Sequence, residues 1–87
     1  MASFDVRIKR SAVKELEAIP LRDRRRIAAR IGKLADDSRP PGCEKLSGLE
    51  RYRIRQGDYR ILYEIEDAIV TVTVVKIGHR KEVYRRA

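Results

Sequence analysis

Tryptophan is absent from this sequence, and phenylalanine, methionine, cysteine and histidine each occur once. A lone cysteine, Cys43, excludes an intramolecular disulfide, and in PPGCEK it belongs to no recognisable catalytic pattern. With one cysteine and one histidine, His79, no Cys/His spacing suits zinc. There is no Ser/His/Asp set and no glycine loop of the phosphate-cradling kind. Asp36-Asp37 and Glu66-Asp67 read as a helix end and a turn rather than as a catalytic carboxylate pair. No apolar run approaches the roughly 20 residues that cross a bilayer. The opening MASFDVRIKR is charged and lacks the apolar centre of a signal peptide. These absences point to a soluble, cytoplasmic chain with no membrane partner, no metal and no cofactor.

What is abundant is positive charge. Lys and Arg number 21 against 13 Asp and Glu, a formal net charge of +8 in 87 residues. The length suits a single domain, 1–87, with a thin core. An excess of this size points to a polyanionic partner, nucleic acid or an acidic protein among them. The alternative is a charged surface that serves solubility alone.

The hydrophobic pattern changes period along the chain. Ser3 to Lys9 alternates, with Phe4, Val6 and Ile8 on one face, as in a half-buried strand. Ser11 is placed to cap a short helix with Val13, Leu16 and Ile19 inward. Pro20 ends that helix or opens the next. The next runs from about Leu21 to Asp37, with Ile27, Ile31 and Leu34 in one stripe and arginines over the rest. SRPPGCEKLSG reads as one long loop. Three strands follow with period two: Arg51–Gln56, Tyr59–Ile65 and Ala68–Ile77. The fold class is α+β: two N-terminal helices on one face of a small, mainly antiparallel four-stranded sheet, in the order β-α-α-β-β-β.

RYRIRQGDYRILYEI carries the most information. Gly57-Asp58 suits a two-residue hairpin loop, because glycine accepts positive φ. Gln56 then pairs with Tyr59, Arg55 with Arg60, Ile54 with Ile61, Arg53 with Leu62, and Tyr52 with Tyr63. One face is core-like, and the other collects Arg51, Arg53, Arg55 and Arg60. A second loop at Glu66-Asp67 sets Tyr63 against Val70, Ile61 against Val72 and Arg60 against Thr73. Like charges directly opposite on a sheet destabilise it, by some tenths of a kcal/mol up to about 1. No acidic residue of this pattern offsets Arg55 and Arg60, and arginine is suited to forked binding of phosphate oxygens. Solubility of a strand edge is the competing account.

After the last strand comes KIGHRKEVYRRA. Gly78 is expected to break the strand and turn the chain. His79, Arg80 and Tyr84 then become the polar groups nearest the sheet's end, with Lys81 among them. Imidazole is the one side chain here able to exchange protons near neutral pH.

KLSGLERYRIRQGDYRILYEI and VVKIGHRKEVYRR, with the strand–helix–helix–three-strand order, resemble the RelE/ParE superfamily of bacterial toxins from toxin–antitoxin pairs. The resemblance covers nearly the whole chain. It implies a RelE-like fold and a cognate antitoxin as partner. RelE-like members cut mRNA in the ribosomal A site without a metal, whereas ParE-like members inhibit DNA gyrase. RelE's basic pair on the second strand falls on Arg53 and Arg55. Its third-strand arginine falls on Arg60, the arginine after the last strand on Arg80, and the C-terminal tyrosine on Tyr84. The resemblance therefore favours a ribosome-dependent mRNA endoribonuclease with Arg60, Arg80, Tyr84 and His79 catalytic. Arg53, Arg55, Arg51 and Lys81 would bind RNA phosphate. The pair in RelE is lysine and here it is arginine, which does not give up its proton, so His79 is the spare base. A gyrase inhibitor and a non-catalytic nucleic-acid-binding module remain the other readings.

Overall fold

The computed structural model describes residues 3–46 and 50–81. Strand β1 (Asp5–Ile8) leads into helix α1 (Arg10–Glu17) and helix α2 (Leu21–Lys33). Strands β2 (Glu44–Lys45), β3 (Arg51–Gln56), β4 (Tyr59–Glu66) and β5 (Thr71–His79) follow. They form one sheet in the order β1-β5-β4-β3-β2. Only β1 and β5 are parallel; the other pairs are antiparallel. The α+β class and the placing of the helices hold. The sheet has five strands rather than four, because Glu44–Lys45 lies inside the segment read as loop. Two residues are too short to show a period of two.

The helices start differently from expectation. Lys9, not Ser11, occupies the α1 cap position, with no side-chain capping bond, and Ser11 lies within the helix. Pro20 caps α2, where its fixed φ suits helix entry. Ile27 and Ile31 of α2 and Leu34 at its C-terminal cap, with Ala12 and Ile19, pack on Tyr52, Ile54, Ile61, Tyr63, Ile65, Val72, Val74 and Ile77. Each such aliphatic side chain stabilises by about 1.5–3 kcal/mol when fully buried. The core therefore takes one sheet face, and the other is left to the arginines.

The first hairpin has the expected register throughout, from Gln56 opposite Tyr59 to Tyr52 opposite Tyr63, and Gly57 has φ 59°. The second does not. Asp67–Ile69 form a 3₁₀ turn, and Val70 follows at φ 50°. Glu66 thus pairs with Thr71, and Tyr63 meets Val74 rather than Val70. A register shift between Leu62 and Tyr63 then sets Ile61 opposite Ile77 and Arg60 opposite Gly78, not Thr73. The longer turn is built around Arg39. Its guanidinium donates to both oxygens of Asp67 at 3.2 and 2.9 Å. Its Nε donates to the Tyr52 hydroxyl at 3.3 Å, and its charge lies 5.2 Å from that ring's centroid. Tyr52 stacks on Tyr63, whose hydroxyl donates to the Ser38 carbonyl at 2.9 Å.

β1 stops opposite Val74, and beyond it no strand among the described residues pairs with the outer edge of β5. Glu15 of α1 covers it: one oxygen accepts the Ile77 N–H at 3.0 Å and the other holds the Lys76 ammonium at 2.6 Å. A carboxylate here supplies the acceptor that a strand would have given. Gly78 does not break the strand, which runs through His79.

Candidate nucleic-acid interface

The face of the sheet opposite the helices is set by β3 and β4. Alternation brings Arg51, Arg53 and Arg55 of β3 to it, with Arg60, Leu62 and Glu64 of β4. Leu62 is buried yet stands apart from the main core cluster, so it forms an apolar floor between charged neighbours. The expectation that no acid on this face offsets Arg55 and Arg60 is corrected for Arg55 and holds for Arg60 among the described residues; the face carries two carboxylates. Glu44 of β2 lies opposite Arg53, accepts its guanidinium at 2.6 Å and lies 3.9 Å from Arg55. Glu64 lies opposite Arg51 and accepts its Nε at 2.8 Å. The bond to Arg53, reinforced by the charges of Arg53, Arg55 and Arg60, holds the Glu44 carboxyl below the usual carboxylate range.

Glu44 was missed because a two-residue strand carries no periodic signal. Glu64 was legible: carrying the first hairpin's register outward from Tyr52–Tyr63 reaches Arg51 opposite Glu64. What remains uncompensated is narrower and sharper than four arginines. Arg55 and Arg60 are direct cross-strand partners. No carboxylate among the described residues pairs with Arg60, whose guanidinium donates to its own neighbour, the Tyr59 carbonyl, at 3.2 Å. On its other flank Arg60 meets Gly78, which has no side chain to fill the space beside it.

Arg80 joins this end of the sheet. Its backbone N–H donates to the Asp58 carbonyl at 2.8 Å, so the chain after β5 is tied to the β3–β4 turn. Its side chain is 54% exposed and only 4.0 Å from the Asp58 carboxylate, a loose pairing. Lys81 is exposed, and its backbone N–H donates to His79 Nδ1 at 3.2 Å.

His79 lies elsewhere than expected. It pairs with Tyr59 at the end of β5, and the two rings meet edge to face with centroids 5.8 Å apart. Tyr59 packs against the helix-side core, and His79 alternates with buried Ile77. Both rings line a cleft of about 360 Å³ with Glu15, Ile19, Pro20 and Lys76. The histidine therefore stands on the helix side and Arg60 on the other. Tyr84 lies outside the described residues. Among those residues no group of three or more His, Cys, Asp or Glu is placed to hold a metal. Nor is any helix there long and apolar enough to cross a membrane.

Residues 6–84 match the family model of the ParE toxin of type II toxin–antitoxin systems, parDE. Toxin RelG of Mycobacterium tuberculosis is 31% identical over 94 residues, spanning 95% of this chain and 98% of the relative. The chain belongs to the RelE/ParE superfamily of type II toxins. Its RelE-like architecture recurs in solved structures. The RelE–RelB complex of Pyrococcus horikoshii matches with a TM-score of 0.82 and 27% identity, over 92% of this chain and 98% of that one. The isolated Escherichia coli RelE toxin matches with a TM-score of 0.77 and 27% identity, over 95% and 92%. The RelBE2 toxin–antitoxin complex of M. tuberculosis matches at 30% identity and a TM-score of 0.68, over 91% and 100%. The toxin's arginine face thus lies on a RelE-like scaffold, while its family model carries the ParE name.

Proposed function

We propose that this toxin is a ribosome-dependent mRNA endoribonuclease that acts in the cytoplasm on A-site mRNA and is held inactive by a cognate antitoxin. The observation that carries the reading is the Arg55–Arg60 pair, like charge against like charge on an open face, with Arg60 free of any carboxylate among the described residues. A phosphate between them would offset the repulsion. The positions matched to RelE's catalytic set support it, as do relatives solved in RelE–RelB complexes.

In the reaction, the 2′-oxygen of a nucleotide bonds to its own 3′-phosphorus and the bond to the 5′-oxygen breaks. The products are a 2′,3′-cyclic phosphate and a 5′-hydroxyl, which takes up the proton equivalent released by the 2′-OH. The nucleophile belongs to the substrate, so neither serine nor metal is needed. Arg60 and Arg55 stabilise the charge that builds on the phosphorane-like transition state. Arg53, Arg51 and Lys81 hold flanking phosphates, and Arg80 contacts the leaving oxygen. Tyr84 stacks on a base or passes the proton. Arginines make poor bases, so much of the rate comes from positioning by the ribosome and its codon.

Primer extension after induced expression tests this, on one transcript in translated and untranslated forms. Cleavage confined to the translated form is the expected result. No cleavage, or equal cleavage of both, overturns it. The ParE family match favours a second reading, gyrase inhibition. Supercoiling and cleavage assays with purified gyrase separate the two.

A further inference from the structure

Helix α2, LRDRRRIAARIGK, holds six cations and one acid, Asp23, a net +5 in a molecule of net +8. Ile27 and Ile31 bury its inner stripe. Arg22, Arg25, Arg26 and Lys33 are exposed, with small Ala28, Ala29 and Gly32 exposed between them. Arg51, Arg53 and Arg55 of the sheet face and Arg39 of the turn have carboxylates within 3.9 Å. By contrast, no ion pair among the described residues involves any α2 cation. Arg22 with Arg25, Arg22 with Arg26, and Arg26 with Arg30 are like-charge neighbours at helical spacing, an arrangement that destabilises an isolated helix. From Arg22 to Lys33 the stripe extends about 16 Å at 1.5 Å per residue. It therefore spans several phosphates.

We infer that the outward stripe of α2 is a second polyanion-binding surface, which grips the phosphate backbone of folded RNA without cutting it. α2 packs on the sheet face opposite Arg60, so the stripe and the arginine face engage separate stretches of RNA. The choice of RNA as the polyanion rests on the proposed function. The surface chemistry supports that choice over an acidic protein. Protein interfaces draw their affinity from buried aromatic and apolar anchors; among the described residues the exposed large apolar side chains are Ile69, away from α2, and Leu21, which only borders the stripe at the start of α2. A backbone grip needs only cations. Arginine predominates over lysine here, as suits forked contacts to phosphate.

The test is fluorescence anisotropy with purified full-length chain and a labelled RNA duplex of about 20 base pairs, long enough for successive minor grooves. Salt is varied from about 50 to 200 mM. The triple variant Arg22→Gln, Arg25→Gln, Arg26→Gln should bind roughly tenfold or more weakly, with the salt slope reduced by about one per lost contact. The triple Arg→Lys variant should keep the slope. If the glutamine triple is unfolded by circular dichroism, the single variants Arg22→Gln and Arg25→Gln carry the same test, each expected to lower the slope by about one. Unchanged affinity and slope in the folded glutamine variants would overturn the inference. So would normal RNA binding with loss of the antitoxin complex, which would make the stripe a protein interface. Weakened RNA binding by the glutamine variants, together with no translation-dependent cleavage by the parent toxin, would sink the ribonuclease reading and leave this surface standing.

Discussion

Arg55 and Arg60 face each other across the β3–β4 ladder, and Glu44 approaches only the first of them. That asymmetry singles out Arg60 as the cation with most to gain from a bound phosphate. Replacement by alanine removes charge from the open face and touches none of the buried core. Arg60→Ala should therefore fold, with equal or slightly higher stability from relief of the like-charge pair. Cleavage should fall by about 10²–10³, the usual loss when one electrostatic donor leaves a transition state. Growth after induced expression, with circular dichroism of the purified variant, checks both. A folded variant of full toxicity would remove Arg60 from the chemistry.

Glu44 acts in the opposite sense. It occupies guanidinium capacity of Arg53 and lies close to Arg55. Glu44→Gln should tighten RNA binding a fewfold and steepen the salt dependence by about one contact. The melting temperature should hardly move, since exposed ion pairs contribute little. Anisotropy against salt would expose the error if the variant binds more weakly.

The Arg39 turn predicts an acid response. Its bond to Asp67 holds that carboxyl below the usual range, as Arg53 does for Glu44. A carboxyl with a lowered folded pKa binds protons more readily in the unfolded chain. Its contribution is complete above the ordinary value near 4 and is lost as pH falls through the folded pKa. Asp67→Asn should lower the urea midpoint at pH 7. It should also make the midpoint decline less between neutral pH and about pH 3. Parallel curves for variant and parent would show that Asp67 contributes nothing.

Val70 holds a left-handed conformation at φ 50°, uncommon for a β-branched residue. It is kept there because its carbonyl accepts the Asp5 N–H at 2.8 Å and so starts the β1–β5 pairing. Such a conformation costs roughly 1–2 kcal/mol, which asparagine relieves. Val70→Asn should stabilise by about 0.5–1 kcal/mol after loss of some apolar contact. Thermal unfolding reads this directly, and a lower midpoint would mean that the valine packing outweighs the strain.

How legible this was follows from loop chemistry. Gly57-Asp58 specifies a tight hairpin by itself, so the register from Arg51 to Glu64 and the meeting of Arg55 with Arg60 were readable from residues alone. Glu66-Asp67 resembles a second tight loop. The real turn, however, is held by Arg39, 28 residues earlier in the chain, and no local pattern carries that. The error was even-numbered as far as Tyr63, so the core face survived it. The register shift after Tyr63 then moved the partners of Arg60 and Ile61, and with them the setting of His79. Glu44 escaped because it reaches the arginines through a strand of two residues.

His79 gives the last prediction. By residue type it was the best base in the chain, given arginines where RelE carries lysines. Its position argues otherwise. Its ring meets Tyr59 edge to face on the helix side, within the cleft that Glu15 and Lys76 also line, whereas Arg60 lies on the other side of the sheet. A base must come within hydrogen-bond reach of the 2′-OH, directly or through one water. An imidazole across the sheet does not meet that requirement while Arg60 holds the phosphate. His79→Gln should change single-turnover cleavage on programmed ribosomes by only a fewfold, against the roughly 10²–10⁴ expected on losing a general base. The same variant should lose stability of about 0.5–1.5 kcal/mol from the aromatic pair. Tyr59→Leu should reproduce that loss, since it removes the same contact from the other side. A hundredfold fall in cleavage with unchanged stability would reinstate His79 as the base and require the end of β5 to rearrange so that His79 reaches the arginine face when RNA binds.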